Sequence, residues 1–524
     1  MINLNFYCDD IDIGLSVPKN KNFGDLSTNI SFLLSKKLEK SPIEIASKIK
    51  EDLETLDLFK SIEIAGPGFL NFNLNHNSLN HNLDEIIKLE NDYGKNDTYK
   101  NKKVLVEFVS ANPTGPLTVG HGRGAITGDI LSNIFDWNGY SVEREYYYNN
   151  AGKQMRILGL SVKARYYELL GKKIDFPEGG YQGDYIVDIA KELHSRHKNS
   201  LLDRDKIFKE EAEKFIFKNI ELTLKRLNIK FDSFFNENTL YENKDINVVI
   251  DRLREKGLIY EKDSAVWFHG TKIGRENDRV LIKSTGEPTY RLPDIAYHIK
   301  KLERGYDLCV DIFGADHMDA YPDVIEAVNQ LGYDKEKIKV LIHQFISILD
   351  KGQQVKMSTR KATYITLDEL IDKVGSDVVR YFFIMRGMNS HLNFDLKIAK
   401  EKSDKNPIYY IQYAYARIMT ILNNNTESQD YNLSVLNNES EIKLIYKLVD
   451  FKEIIKRVSI KMEPQILANY LLELASMFHK YYAKNRIINN NEELSKARLV
   501  FIKSISIVIK NGLTILGISA PKKM

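Results

Sequence analysis

A loop rich in proline and glycine, residues 110–121, separates an apolar strand pattern at 103–109 from a helical pattern at 125–137. A second strand pattern follows at 142–148. Strand, loop, helix and strand in this order are typical of a parallel sheet with right-handed crossovers. Because a second strand–loop–helix pattern lies at 308–331, we expect one α/β sheet to organise the middle of the chain.

The remaining segments differ in character. Residues 1 to about 76 indicate a small α/β unit. Its predicted elements are two helices and a strand pair, at 26–38, 43–53 and 62–72. The segment of about 150 residues between the two strand–loop–helix patterns is too long for a connection, so it predicts an inserted domain. Strand patterns end near residue 406, and apolar spacing such as that of 444–458 predicts a helical bundle.

Charge and cysteine content narrow the possible functions. The 524 residues carry a net charge of +3, but residues 405–524 hold 17 basic against 10 acidic side chains, a net of +7. A basic segment suits a polyanion, although a solvated helical surface explains the same charge. Cys8 and Cys309 lack zinc spacing, and His194 with His197 lacks further ligands, so no protein-bound metal is expected. With no signal peptide and no membrane span in the sequence, we expect a cytoplasmic protein without membrane contact.

Two basic or glycine-rich stretches suit phosphate chemistry. In the first, Gly120, Gly122 and Gly124 permit close backbone approach at a helix N-terminus, and His121 can donate to a phosphate oxygen. A tight strand-to-helix connection explains the same glycines. In the second, QVKMSTRK at 354–361 follows a predicted hairpin turn and can close over a triphosphate. Its alternative is an exposed basic hairpin end.

Glu107 and Asp294 are carboxylates at apolar sequence positions. A buried carboxylate needs a partner, and a guanidinium matches it with two hydrogen bonds. The partner can be a bound ligand or an arginine of the chain itself. The residues alone leave both interpretations open.

Taken together, these stretches resemble arginyl-tRNA synthetases, with matches in family order over essentially the whole chain. The matching stretches are GDLSTNISFLLSK, EIAGPGFLNFNL, EFVSANPTGPLTVGHGRGAITGD, YYNNAGKQM, YQGDYI, DRVLIKSTGEPTYRLPDIAYH, GADH, VKMSTRKATYITLDELIDKVGSDVVRYFF, DKNPIYYIQYAYARI and ILGISAPKKM. The resemblance implies a ligase that activates arginine with ATP and esterifies it to tRNA(Arg).

The resemblance also implies an architecture. We expect a Rossmann-type parallel-sheet catalytic domain at 100–345, with an insertion at about 155–270. A small N-terminal α/β domain that contacts tRNA occupies 1–80. The second ATP signature and a segment that contacts the tRNA stem occupy 346–404, and a helical anticodon-binding bundle occupies 405–524. Family precedent suggests a monomer.

Residue roles follow only from the resemblance. The residues expected to act in catalysis are His121, Lys356, Ser358 and Arg360. Those expected to bind ATP are Gly120, His121, Gly122, Asp316, His317, Lys356, Met357 and Ser358. Those expected to bind arginine are Glu107, Ser110, Asn112, Thr118, Tyr290 and Asp294, with Asn112 at the α-amino end. Those expected to bind tRNA are Tyr409, Tyr410, Tyr413 and Arg417. Mg²⁺ is expected to accompany ATP, held mainly by phosphate oxygens.

Two positions depart from the family pattern. Thr118 stands where the first signature usually has histidine, and Thr359 stands where the second usually has lysine. A non-catalytic paralogue is therefore one alternative, although His121, Asp294 and the basic loop argue against it. A class I synthetase for another amino acid is a second alternative, because paired carboxylates also suit lysine.

Overall fold

The structure is a computed structural model. It describes residues 14–16, 18, 20, 23–56, 59–202, 204–315, 318–355, 365–425 and 430–524, except for the side chains of 76–81. The chain forms two compact units. One unit contains residues 1–93, 418–451 and 477–508, and the other contains 94–417, 452–476 and 509–524.

The first unit begins with a small α/β fold. Its elements are β1 (Leu26–Thr28), α1 (Ile30–Leu38), α2 (Pro42–Glu54), β2 (Phe59–Ala65), β3 (Phe69–Leu74) and α3 (His76–Leu89). The predicted strand pair is confirmed as β2 and β3, and β1 joins them in an antiparallel sheet. The helix predicted from residue 26 is wrong in its first three residues. They form β1 instead, because Leu26 to Thr28 pair with Phe72 to Leu70.

The second unit contains the predicted parallel sheet. Its strands are β4 (Lys103–Glu107), β5 (Ser141–Tyr148), β6 (Ser233–Asn236), β10 (Leu308–Gly314) and β11 (Ile338–His343), in the order β11-β10-β4-β5-β6. All four neighbouring pairs are parallel. Helix α4 (Val119–Trp137) connects β4 to β5. It begins six residues before the predicted start, because Thr118 and His121 close a capping box at its N-terminus.

The long segment between β5 and β10 is mostly helical, as expected. Its helices are α5 (Gly152–Leu169), α6 (Asp184–His197), α7 (Asp205–Arg226), α8 (Asn238–Glu242), α9 (Asp245–Glu255) and α10 (Arg291–Glu303). Strands β7 (Ile259–Lys262), β8 (Ala265–Phe268) and β9 (Arg279–Ile282) form an antiparallel sheet. The segment also returns to the main sheet, because β6 pairs with β5 at its edge.

After β10 the chain continues through α11 (Tyr321–Gln330) to β11 and a second small sheet. The later elements are β12 (Ile346–Asp350), β13 (Gln353–Gln354), α12 (Leu367–Val374), α13 (Ser376–Ile384), β14 (Leu392–Asp395) and α14 (Leu396–Lys400). The predicted hairpin turn is confirmed between β12 and β13, where Lys351 and Gly352 have φ angles of 51° and 80°. Two consecutive positive φ angles suit a tight hairpin.

The C-terminal part is helical, as predicted. Its helices are α15 (Pro407–Asn423), α16 (Glu439–Val449), α17 (Phe451–Lys461), α18 (Gln465–Lys484) and α19 (Glu492–Ile515). The apolar spacing at 444–458 spans two helices, because the chain divides at Asp450 into α16 and α17. Within the described residues, no helix is long and apolar enough to cross a membrane.

Candidate active site

The loop after β4 has an unusual backbone. Val109 and Ser110 have φ angles of 69° and 42°, a left-handed conformation that costs free energy for residues other than glycine. Local hydrogen bonds hold it. The Ser110 hydroxyl donates to Glu107 Oε1 at 2.8 Å and accepts from the Tyr147 N–H at 3.3 Å. The loop is therefore fixed between the carboxyl ends of the neighbouring parallel strands β4 and β5.

Asn112 lies farther along the same loop. Its Oδ1 accepts from the Asn149 backbone N–H at 3.0 Å, and its Nδ2 donates to Gln154 Oε1 at 3.3 Å. Both partners belong to the stretch YYNNAGKQM that carries the family resemblance. The fixed carboxamide lies at the edge where nucleotide and substrate sites occur in such sheets.

His121 is held at the N-terminus of α4. Its Nδ1 accepts from the Thr118 backbone N–H at 3.1 Å. This acceptor role places the ring proton of the neutral imidazole on Nε2. The N-terminus of a helix is the positive end of its dipole. An anion that accepts from His121 Nε2 there is therefore also stabilised by the helix.

The three glycines of the loop have different surroundings. A Cβ at Gly122 would lie 2.7 Å from Phe383 Cε2 and 2.8 Å from Leu367 Cδ1, and one at Gly124 would lie 3.1 Å from His343 Nε2. These two glycines are therefore needed for the packing of α4. Only the exposed Gly120 has open space, with Thr118 Oγ1 at 3.5 Å. Close approach of a phosphate is consistent with Gly120 alone.

Glu107 lies in a buried charge network. Lys301 Nζ, whose side chain is 1% exposed, contacts both Glu107 and Asp311. Burial opposes the ammonium, but the two carboxylates outweigh it and raise the pKa of Lys301. The sequence allowed an internal ion pair for Glu107. The structure contains one, with a lysine in place of the expected arginine. Glu107 is 2% exposed, so its carboxylate is closed off from solvent.

His298 extends this network to Asp294. Its Nε2 lies 3.0 Å from Asp311 Oδ2, and its Nδ1 lies 2.7 Å from the Asp294 backbone carbonyl. The carbonyl needs a donor, so Nδ1 carries a proton. Burial opposes ionisation of Asp311, but Lys301 and His298 outweigh it and lower its pKa. The network thereby holds the first turn of α10.

The Asp294 carboxylate differs from those of Glu107 and Asp311. Among the described residues, neither a hydrogen bond nor an ion pair reaches it. Burial first, and then the negative charges of Glu107 and Glu237, raise its pKa to about 7. A carboxylate without a cationic partner, beside two further carboxylates, favours a cationic ligand. Tyr290, one helical turn earlier, is 82% exposed and does not cover it.

Sequence reasoning missed Glu237, which follows β6. Its carboxylate accepts from the Tyr147 hydroxyl and from Asn149 Nδ2, each at 2.7 Å. The rings of Tyr147, Phe235 and Tyr297 pack together, with centroids 6.0 Å (Tyr147–Phe235), 4.6 Å (Tyr147–Tyr297) and 4.6 Å (Phe235–Tyr297) apart. Glu237 therefore helps to form the same pocket. Its only signal in the sequence is a polar residue after the short apolar run at 234–235.

Two tyrosines of the stretch YQGDYI reach the loop. The Tyr185 hydroxyl donates to the Thr114 carbonyl at 2.8 Å, and Tyr181 forms a side-chain hydrogen bond with Thr114. A Cβ at Gly115 would lie only 3.1 Å from the Tyr185 hydroxyl. The inserted segment thus contacts the glycine-rich loop at Thr114 and Gly115.

Several predicted residues lie outside the described part of the chain. They are Asp316, His317, Lys356, Met357, Ser358, Thr359 and Arg360. After residue 364 the chain continues beside α4, where Thr366 pairs with Thr118 and the Leu367 N–H donates to the Leu117 carbonyl at 2.9 Å. Among the described residues, no group of three or more His, Cys, Asp or Glu side chains could hold a metal ion.

A ladder of side chains runs along α15. The rings of Tyr409 and Tyr413 stack with centroids 6.2 Å apart, and the Arg417 guanidinium lies 4.5 Å from the Tyr413 centroid. Tyr410 is half-buried, whereas Tyr415 is 4% exposed and belongs to the core. These tyrosines therefore face different ways along α15.

Three family models match the chain in order. "Arginyl tRNA synthetase N terminal domain" matches residues 3–74, "tRNA synthetases class I (R), catalytic domain" matches 82–381, and "DALR anticodon binding domain" matches 411–524.

Relatives match over nearly their full length. An arginine–tRNA ligase of Desulfotalea psychrophila is 47% identical over 521 residues, covering 97% of this chain and 94% of the relative. One of Salinibacter ruber is 45% identical over 542 residues, covering 98% and 96%. The solved arginyl-tRNA synthetase of Thermus thermophilus superposes with a TM-score of 0.78 at 21% identity, covering 97% and 96%. At that identity the likeness shows the fold.

Proposed function

Because this chain belongs to the arginyl-tRNA synthetase family, we propose that it activates arginine with ATP and transfers it to the 3′ end of tRNA(Arg). The full-length match at 47% identity is the observation that carries this proposal. The arginine carboxylate attacks the α-phosphate of ATP in line, giving arginyl-adenylate and pyrophosphate. A hydroxyl of the terminal tRNA ribose then attacks the adenylate carbonyl, and AMP leaves.

Arginine selection is assigned to the pocket around Asp294. A guanidinium entering it gains two hydrogen bonds to a carboxylate that has no cationic partner among the described residues. Glu107 acts from behind the pocket, where Lys301 already neutralises part of its charge. Ser110 and Asn112 hold the loop at the α-amino and carboxylate end, and Thr118 acts there by orienting His121. Tyr290 would have to turn inward to touch the side chain.

The phosphates of ATP are assigned to the N-terminus of α4. His121 Nε2–H and the open backbone at Gly120 supply donors there, and the catalytic gain comes from positioning and charge stabilisation. The adenosine end is assigned to Asp316 and His317, and the pyrophosphate end to Lys356, Met357, Ser358 and Arg360. Mg²⁺ bound to ATP would supply further positive charge and would be held mainly by phosphate oxygens.

The two alternatives are separated by arginine-dependent exchange of labelled pyrophosphate into ATP, measured with and without tRNA. We expect exchange with arginine and little with lysine. A chain inactive with every amino acid would support the non-catalytic paralogue. Preferential exchange with lysine would reassign the pocket.

Arginine use should depend on pH through Asp294. A raised pKa of about 7 means that acidification protonates the carboxylate and removes its attraction for the cationic guanidinium. The KM for arginine should therefore rise about tenfold from about pH 8 to about pH 6, as expected for one titrating group. Initial rates across this range measure it, and an equal rise in Asp294→Asn would contradict the assignment.

The contacts to Thr114 predict a positioning role for Tyr181 and Tyr185. Replacing both by phenylalanine keeps the rings and removes two hydroxyls, each worth about 0.5–1.5 kcal/mol as a hydrogen-bond partner. We expect a roughly tenfold loss of kcat/KM for ATP. Tyr166→Phe is the matched control, because its hydroxyl donates to the Lys198 carbonyl within the insertion. A lower melting temperature with unchanged kinetics would mean that the tyrosines are merely structural.

The basic C-terminal helices are proposed to bind the anticodon arm of tRNA, with Tyr409, Tyr410, Tyr413 and Arg417 on the contacting surface. Tyr413 is 37% exposed, and its ring and the Arg417 guanidinium form one stacked surface that a base can join. Because stacking contributes about 1–3 kcal/mol per base, Tyr413→Ala should raise the KM for tRNA by about tenfold. Tyr413→Phe should stay near wild type. Equal losses in both variants would point instead to the hydrogen bond between Arg417 and the Tyr413 hydroxyl.

Three further expectations extend this proposal. The N-terminal domain, residues 1–80, contacts the tRNA body. The chain works as a monomer, and it acts in the cytoplasm, where tRNA is charged.

A further inference from the structure

Three arginines of the second unit converge on one carboxylate outside the pocket described above. Asp323, in the first turn of α11, is 3% exposed. It accepts from the Nε atoms of Arg275, Arg279 and Arg291 at 3.0, 3.2 and 3.2 Å. We call this set the arginine cluster. Arg291 begins α10 and precedes Asp294 by three residues, so the cluster borders the site.

The cluster holds more positive charge than an internal ion pair needs. Three guanidiniums face one buried carboxylate, and the 86% exposed Asp319 lies 3.7 Å from Arg279 Nη2. Three crowded cations repel one another unless a further anion joins them. The geometry leaves a place for that anion.

The bonding pattern shows which atoms remain for it. Each arginine donates to Asp323 through its Nε. The Nη groups of Arg275 and Arg291 make no hydrogen bond or ion pair within the described residues. The side chains of Arg275, Arg279 and Arg291 are 36%, 29% and 20% exposed. Guanidinium groups fixed in position with free Nη donors match the oxygens of a phosphate.

The surroundings favour a polynucleotide over ATP. Arg275 also lines a cavity of about 490 Å³, together with Tyr321, Lys335, Lys339, Glu326 and several apolar side chains. This cavity lies along β11, the edge strand, which is two strands away from the β4 loop that carries His121. Its lining includes the Tyr321 ring and the ammonium groups of Lys335 and Lys339, although Lys335 pairs with Glu326 at 3.1 Å. An aromatic ring and cations beside the cluster, away from the ATP site, suit a single-stranded nucleic acid backbone.

We propose that the arginine cluster binds a phosphodiester of the single-stranded 3′ end of tRNA as that end enters the site. The proposal rests on the proposed function and names a contact within it. The phosphate accepts from the Nη groups, and its charge completes the neutralisation that Asp323 begins. No covalent step is involved.

The test is the equilibrium binding of tRNA(Arg) over a range of salt concentrations, without ATP. Arg275→Gln should weaken binding by about tenfold and reduce the slope of log K against log salt by about 1, as expected for one lost phosphate contact. Arg275→Lys keeps the charge and should keep most of the slope. The matched control is Arg254→Gln, because Arg254 is an exposed arginine of α9 that pairs with Asp251.

A trimmed tRNA without its single-stranded 3′ nucleotides locates the contact. On trimmed tRNA, wild type and Arg275→Gln should bind alike. Wild type should show a smaller salt slope on trimmed than on intact tRNA, which tests the proposal even if Arg275→Gln misfolds. Unchanged binding by folded Arg275→Gln, an equal loss on both tRNAs, or a loss confined to the KM for ATP would each overturn it. Wild type must first charge tRNA with arginine, since its failure there would overturn the proposed function instead.

Discussion

Asp294→Asn should raise the KM for arginine by about two orders of magnitude. The substitution keeps the shape of the side chain but removes the charge that pairs with the guanidinium. Losing one partner of a desolvated charge pair typically costs about 2–5 kcal/mol. The KM for ATP should change far less, because the phosphates bind at the N-terminus of α4. Initial rates of pyrophosphate exchange with varied arginine measure the effect.

Glu63→Gln, an exposed carboxylate of the N-terminal sheet, is a control for the loss of one negative charge. It should leave both constants near wild type. If the KM for arginine in Asp294→Asn stays within about threefold, a shift of only ~0.7 kcal/mol, the assignment of the pocket is wrong.

His121→Ala should lower kcat for adenylate formation by about two to three orders of magnitude. Negative charge grows on the phosphates during the in-line attack, and losing one pre-placed donor to such charge typically costs about 2.7–4 kcal/mol. Thr118 cannot replace the donor, because its role in the structure is to hold His121 through its backbone N–H. Pre-steady-state formation of arginyl-adenylate gives the rate directly.

Two amide substitutions of His121 distinguish the loss of its hydrogen-bond donor from the loss of its packing. The Gln Nε2 can reach the place of the imidazole Nε2, whereas the shorter Asn cannot. His121→Gln should therefore retain more activity than His121→Asn. Equal rates in the two variants, or a rate for His121→Ala within about threefold of wild type, would contradict the donor role.

Local patterns predicted the central part of the fold. The strand–loop–helix order around residues 103–137 depends on neighbouring residues, so its elements and His121 were accessible from the sequence. The start of α4 was harder to predict, because its first six residues depend on the capping box formed by Thr118 and His121.

Residues that are distant in sequence but paired in the structure could not be predicted from local patterns. Glu107 meets Lys301 across 194 positions of the chain, so the sequence could name the need for a cation but not the lysine. Glu237 was missed because β6 has only four residues, too few to show a strand period, and its place beside β5 depends on sheet order. Both residues reach the pocket because the order of the strands in the sheet brings distant parts of the chain together.

The C-terminal helices show a second limit of sequence patterns. A boundary near residue 405 suggests a detachable bundle, yet residues 452–476 and 509–524 belong to the same compact unit as the sheet. Arg380 Nε donates to the Leu516 carbonyl at 2.7 Å, and Arg380 also contacts Asp129 of α4. Truncation after residue 404 would remove this partner of a buried arginine. Point variants are therefore the sharper test of tRNA binding.

Joining arginine to tRNA is the reaction on which every assigned residue role depends. It is measured as transfer of labelled arginine to tRNA(Arg), followed as acid-insoluble label in the presence of ATP and Mg²⁺. We expect label to accumulate with arginine, to require ATP, to be released by mild base as an aminoacyl ester, and to fall strongly in Asp294→Asn. Absence of label with arginine from the folded wild-type chain, or greater charging with lysine, would contradict the account.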